Sequence, residues 1–240
     1  MNVKIGTAGW SIPRDLASVF PTEGSGLERY AAHFPVAEIN SSFHRPHRLS
    51  TWERWRESVP SDFRFSVKVP KAITHVRKLV GCEDELDAFI SEAGRLGDKL
   101  AVLLIQLPPK LEFDADVVTV FFSSLQRRTA AAIVCEPRHL SWFTSEGDAL
   151  LTEFRVARVA ADPALNEAAA RPGGWGGLNY WRLHGSPVAY RSSYRDRIDE
   201  LAAAIGAFDA RDCWCIFDNT ASSAGAGDAI ALMRALGTGF

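Results

Sequence analysis

Short runs of apolar or alternating residues, each bounded by turn formers, recur along the chain at 3–8, 36–42, 63–69, 100–107, 131–137, 155–161, 179–184 and 213–218. Runs of that length and composition predict strands, and the one that is apolar throughout, 100–105, predicts a strand buried on both faces. Between them the apolar period lengthens to that of a helix over 26–34, 50–59, 83–96, 115–128, 145–154, 163–170, 197–208 and 227–236. Ser50-Thr51-Trp52-Glu53 has capping-box spacing, in which the serine oxygen takes a free amide and the glutamate reaches back, so the second helix is expected to begin there. Trp52 and Trp55, three apart, predict one apolar stripe packed against the sheet.

Strict strand–helix alternation implies parallel strands joined by right-handed crossovers, arranged either as a closed barrel or as an open doubly wound sheet. No G-x-G-x-x-G follows the first run, where a dinucleotide fold places its phosphate turn, and no linker or composition break divides the chain. The expected fold is therefore α/β, a (β/α)₈ TIM barrel: one closed, parallel, eight-stranded barrel, with residues 1–240 as a single domain. A chain of 240 residues suits that reading, since such barrels typically hold about 250. The Pro/Gly-rich stretch 171–177 precedes the seventh run and is expected as a loop at the amino-terminal face.

Charge narrows the classes of partner. With 27 Lys+Arg against 29 Asp+Glu the net charge is −2, so no whole-molecule field draws the protein to nucleic acid or anionic lipid. The segment from Met1 to Gly6 lacks the basic-then-apolar layout of a signal peptide, and the longest apolar stretch is too short to span a bilayer. A cytoplasmic location and no membrane partner are expected. Cys82, Cys135, Cys213 and Cys215 have no zinc spacing and are expected as buried, reduced thiols. Oligomeric state has no signal in the sequence.

Candidate chemistry lies at the strand ends. A charge near the end of a barrel strand is expected to point into the lumen, because the other face is buried against apolar helices. On this rule Glu38 and Asn40 project from the second strand, Lys68 from the third and Gln106 from the fourth. Glu136 and Arg138 come from the fifth, Asp162 from the sixth, Arg182 and His184 from the seventh, and Asp218 from the eighth. Lys68, Arg138 and Arg182 are pure donors suited to a carboxylate or phosphate. Glu136, Asp162 and Asp218 are candidate general acids or bases, as is His184, which titrates near neutrality unaided. His139 and Trp142 follow the fifth strand as further candidates for substrate contact.

Two loops add to the expected mouth. After the seventh strand come Tyr190, Arg191, Tyr194 and Arg195, a charged and aromatic cover. After the eighth, Asn219 and Thr220 lead through a Gly/Ser-rich turn into a helix whose free amides suit an anion. A divalent metal is considered and not favoured, because three interleaved cations would repel it and no H-x-H or H-E-x-x-H spacing occurs. No cofactor is expected, and no G-x-S-x-G marks a serine nucleophile.

The same segments carry a resemblance. Ile5-Gly6-Thr7-Ala8-Gly9-Trp10, Glu38-Ile39-Asn40-Ser41-Ser42-Phe43, Phe65-Ser66-Val67-Lys68-Val69-Pro70 with Ile73-Thr74-His75, and Gln106-Leu107-Pro108-Pro109 resemble the YecE-like family. Glu136-Pro137-Arg138-His139 with Ser141-Trp142, Arg182-Leu183-His184-Gly185 and Phe217-Asp218-Asn219-Thr220 continue it in order over nearly the whole chain. The resemblance implies a TIM-like barrel of unknown function and brings no settled reaction. The chain departs from the family's usual pattern at Pro137, His44 and Asp218, where that family usually has phenylalanine, tyrosine and asparagine. The last departure makes Asp218 a less secure site residue.

The leading expectation is an enzyme that uses acid–base chemistry on a small anionic substrate, phosphorylated or sugar-like, with Glu136 and His184 moving protons and Lys68, Arg138 and Arg182 as an anion clamp. The alternatives are a nucleic-acid protein, not favoured on net charge, that stacks bases on Trp142, Tyr190 and Tyr194, and a non-catalytic small-molecule or partner module.

Overall fold

Alternation along each strand sorts the side chains into two apolar layers. In the computed structural model, which describes residues 3–208 and 212–238, Val36, Val102, Leu104, Val134, Tyr180 and Trp214 pack together inside the sheet. Residues of the opposite parity, among them Ile39, Phe65, Leu103, Cys135 and Trp181, pack outward with helix residues such as Trp52, Phe89, Phe121 and Leu201. All four cysteines are free and buried.

The strands are β1 (Val3–Ala8), β2 (Val36–Ile39), β3 (Arg64–Lys68), β4 (Leu100–Gln106), β5 (Ala132–Glu136), β6 (Val156–Arg158), β7 (Ala160–Asp162), β8 (Gly173–Gly174), β9 (Leu178–Leu183) and β10 (Asp212–Phe217). Among the described residues the α-helices are α1 (Gly26–Ala31), α2 (Leu49–Glu57), α3 (Glu83–Ala93), α4 (Ala115–Gln126), α5 (Ser145–Glu153), α6 (Ile198–Gly206) and α7 (Ala224–Leu236). The sheet order is β7-β9-β10-β1-β2-β3-β4-β5-β6-β8. Only Val159 separates β6 from β7; β6 pairs with β5 and β7 with β9, both in parallel, so one run of chain bridges the two ends of the order and the sheet is nearly closed.

This differs from the expected eight-stranded, all-parallel closed barrel. Among the described residues the sheet has ten strands and is mixed, because the sixth run is split and β8 pairs antiparallel with β6. Glycine permits the addition: Gly174 has φ +61, and a Cβ there would lie 2.7 Å from Val156 O. The 171–177 stretch thus contains a short strand as well as a loop.

Two further local expectations are corrected. Residues 163–170 form turns, not a helix, because their one large apolar side chain, Leu165, is exposed and the segment has no face to bury. Arg158 instead anchors this crossover by donating to Ala168 O at 2.7 Å. The second helix starts at Leu49, with Arg48 as its N-cap and no side-chain cap, so the box at Ser50 does not form. Its first turn is closed by Thr51 N donating to Arg48 O at 2.8 Å. A capping box does form one helix earlier, between Ser25 and Glu28 at the start of α1. Trp52 and Trp55 make the expected stripe, with centroids 5.2 Å apart; Trp52 is buried and Trp55 packs partly buried against the core.

Candidate functional site

The apolar filling of the lumen gives way to charge at the carboxyl ends of the strands. Tyr180 begins the change: its ring stacks on Trp214, while its hydroxyl lies 2.9 Å from Glu38 Oε2 and 2.8 Å from Ser66 Oγ. Two residues on, the fully buried Arg182 donates Nε and Nη2 to Glu38 at 3.0 and 2.7 Å, Nη1 to Glu136 at 2.7 Å and Nη2 to Asp218 at 2.9 Å. One guanidinium therefore ties together carboxylates from β2, β5 and the residue that follows β10. Burying so many charges is tolerable because each has a close opposite partner.

His184 lies above it, with Nε2 2.9 Å from Glu136 Oε1 and Nδ1 3.0 Å from Asp218 Oδ2. Burial opposes the charged imidazole, but Glu136 and the hydrogen bonds to Asp218 and Glu136 outweigh it, holding His184 above the ordinary histidine range. Burial also works against an ionised Glu136, yet Arg182, His184 and Arg138 together hold its carboxyl well below the usual range. Asp218 is lowered in the same way, against burial, chiefly by Arg182 and His184. The cluster is thus a set of carboxylates around a guanidinium, with both imidazole nitrogens of His184 within hydrogen-bond distance of a carboxylate oxygen.

Four more expected residues complete the rim. Gln106 Nε2 donates to Glu136 Oε1 at 3.4 Å, and Asn40 Nδ2 donates to Asp218 Oδ1 at 3.3 Å. Arg138 Nη2 is 2.5 Å from Glu136 Oε1 and 2.9 Å from His184 Nε2, while its Nε is buried without a partner, as is Asn40 Oδ1. Lys68 points Nζ at the ring of Phe43, 4.2 Å from the centroid. Beyond Phe43 lies a groove of about 410 Å³, lined also by His44, Pro46, Pro70, Val76 and Phe89.

Other expected residues lie elsewhere. Asp162 faces away from the lumen: it accepts from Tyr194 Oη at 2.8 Å and is paired with Arg197 at 3.0 Å. Tyr194 is fully buried, with Gly185 N donating to its hydroxyl at 2.8 Å, so it is a strut beneath the loop and not part of its cover. Tyr190 is 46% exposed and stands edge-on to His184 at 5.6 Å, at the mouth as expected. His139 accepts from Ser141 N and caps a short turn, and Trp142 is buried with Nε1 donating to Leu111 O at 2.9 Å. Asn219 donates to Asp228 Oδ2 and Ser192 O, bracing the last two loops, and Thr220 is half-buried beside it. Asp228, in the first turns of α7 beside the loop expected to receive an anion, is buried and also accepts from Ser193 Oγ and Tyr194 N.

Sequence reasoning missed Tyr180, Ser66 and Phe43. The first two share lumen parity with Arg182 and Lys68 and could have been found by extending the rule from charged to hydroxyl side chains. Phe43 lies beyond the strand, where alternation carries no information. Among the described residues no group of three or more His, Cys, Asp or Glu is arranged to hold a metal ion, and no helix is long and apolar enough to cross a membrane.

Comparison with known proteins places this architecture. The chain is 31% identical over 153 residues to the Bacillus subtilis protein YunF of group UPF0759, covering 59% of this chain and 52% of that protein. It is 31% identical over 106 residues to Escherichia coli YecE of the same group, covering 44% and 38% respectively, so the match spans about half or less of these relatives' lengths. A crystal structure of a DUF72 family protein from Enterococcus faecalis superposes with a TM-score of 0.81 at 19% identity, covering 100% of this chain and 97% of that one. A D-allulose 3-epimerase from Methylomonas shares the fold more distantly, with a TM-score of 0.54 at 13% identity over 98% and 97% of the two chains. The model of the family described as protein of unknown function DUF72 matches residues 4–240, and to that family this chain belongs.

Proposed function

We propose that this protein is an enzyme that performs acid–base chemistry on a small anionic substrate, phosphorylated or sugar-like, at the carboxyl face of its barrel. The observation that carries the reading is the contrast between centre and rim. Arg182 is saturated by Glu38, Glu136 and Asp218, whereas among the described residues Arg138 Nε is buried without an acceptor and Asn40 Oδ1 without a donor. An unpaired buried polar atom costs about 1–3 kcal/mol, so a ligand that satisfies both atoms recovers that energy on binding. Arg182 is then a positioning residue, and Lys68 and Arg138 are left as the anion clamp.

His184 is the proton carrier in this scheme, and Glu136 and Asp218 fix its orientation from either side. The nucleic-acid alternative loses support, because Trp142 and Tyr194 are buried and only Tyr190 of the three aromatics offers a face.

Titration calorimetry with inorganic phosphate tests the reading. Wild type is expected to bind, and Arg138→Met to bind about tenfold or more weakly, the loss of one charge-assisted hydrogen bond. Absence of binding by the wild type at millimolar phosphate overturns the anion site. Turnover of a panel of phosphorylated sugars, followed by NMR and abolished in His184→Gln, separates an enzyme from a binding module.

A further inference from the structure

Among the described residues two lysines are buried, Lys68 and Lys99, and they differ in their partners. Lys99 Nζ donates to the carbonyls of Arg56 and Val59, both at 2.6 Å. Lys68 is equally buried, at 9% exposure, yet no carboxylate oxygen of the described residues lies within 4.0 Å of its Nζ, and no hydrogen-bond acceptor among them receives it. The three neighbouring carboxylates are all engaged by Arg182 and His184. The backbone that carries it is held in place, and one ring meets the amine. Ser42 Oγ donates to Lys68 O at 2.7 Å, Val69 N donates to Leu104 O at 2.9 Å, and the Phe43 ring supports the amine at the lip of the mouth.

From this placement we propose that Lys68 Nζ is a nucleophile that captures the aldehyde or ketone group of a small anionic substrate as a Schiff base. The proposal rests on the anion-binding reading of the same mouth and names the substrate class within it. Burial, and then the Arg182 guanidinium, hold the amine below the ordinary lysine range against the opposing pull of Glu38, Glu136 and Asp218, which enlarges the neutral, nucleophilic fraction. Nearby His75 is held below the ordinary histidine range by burial, and then by Lys68 and Lys71.

The step balances without a further reagent. The nitrogen lone pair forms a C–N bond to the carbonyl carbon, the carbonyl π pair becomes a hydroxyl, and that oxygen then leaves as water with the two protons the amine has lost.

Reductive trapping tests the proposal on the intact protein. Incubation with glycolaldehyde phosphate and sodium cyanoborohydride at neutral pH, followed by peptide mass spectrometry, is expected to place most of the secondary-amine adduct on Lys68 and little on the exposed Lys71 and Lys78. Orthophosphate is expected to suppress the Lys68 adduct alone, and Lys68→Met to lose it. An adduct spread evenly over Lys68, Lys71 and Lys78 overturns the proposal. If calorimetry still detects phosphate in that case, the anion site stands and only the Schiff base falls. Selective trapping at Lys68 without any phosphate binding supports the nucleophile and removes the clamp.

Discussion

Arg182 Nη1 donates to Glu136 Oε2 across 2.7 Å, and neither side chain is more than 1% exposed. The contact joins β9 to β5 across the lumen, so the ion cluster is a tie through the middle of the barrel as well as the floor of its mouth.

Removing the guanidinium should therefore be severe. Arg182→Met leaves Glu38, Glu136 and Asp218 buried beside one another, and loss of one partner of a buried ion pair typically costs about 3–5 kcal/mol. The expected outcome, read by urea denaturation, is a large fall in midpoint that Arg182→Met combined with Glu38→Gln and Glu136→Gln partly restores. A single variant as stable as wild type would remove the tie from the account.

His184 sets an alkaline limit on stability. Its folded-state pKa is raised above the ordinary 6.5, so its contribution is complete below that value and is lost as pH rises through the raised one. Glu136 and Asp218 are lowered, so theirs is present above the ordinary carboxylate range and lost as pH falls through their folded-state values. Unfolding midpoints measured across pH should decline on both sides of a plateau. His184→Gln should flatten the alkaline side and weaken the acid side without abolishing it, because Arg182 still lowers both carboxylates.

Asp162 and Tyr194 should affect the loop and not the mouth. Tyr194→Phe removes a buried hydroxyl that binds Gly185 N and Asp162, worth about 0.5–1.5 kcal/mol. Limited proteolysis between Gly185 and Tyr194 should quicken in this variant and in Asp162→Asn, while calorimetric phosphate affinity stays unchanged. Loss of phosphate binding in Asp162→Asn would return that carboxylate to the site.

Gly6→Ala should disturb the junction of β1 and β2. A Cβ at Gly6 would lie 2.1 Å from Val36 O, a backbone atom that has no rotamer by which to give way. Overpacking of this kind costs about 1–3 kcal/mol, readable as a lowered thermal midpoint.

Strand alternation depends only on neighbouring residues, which is why the sequence alone assigns Glu38, Gln106, Glu136, Arg182, His184 and Asp218 to one surface, and why they meet. Asp162 shows the limit of that reading. A charge at a strand end was expected to turn inward, but counting from Ala157 and Val159, which pack inside, puts Asp162 on the outer face. That face holds a charge because Arg197 and Tyr194 arrive from a later loop to meet it. The missing helix at 163–170 failed for a related reason: its spacing was suitable, but Leu165 found no surface to cover.

Periodicity along the chain was enough to establish most of the strand–helix order, the lumen-facing parity outside the sixth run and the kinds of charge brought to the mouth, since each follows from short-range geometry. Which of those charges would remain unpaired was not legible there. That depended on Arg182 reaching Glu38, 144 residues away in the chain, along with Glu136 and Asp218, and so leaving Lys68 and Arg138 with capacity to spare. Partner choice in a buried cluster is settled by distances across the nearly closed sheet, and no local pattern encodes those.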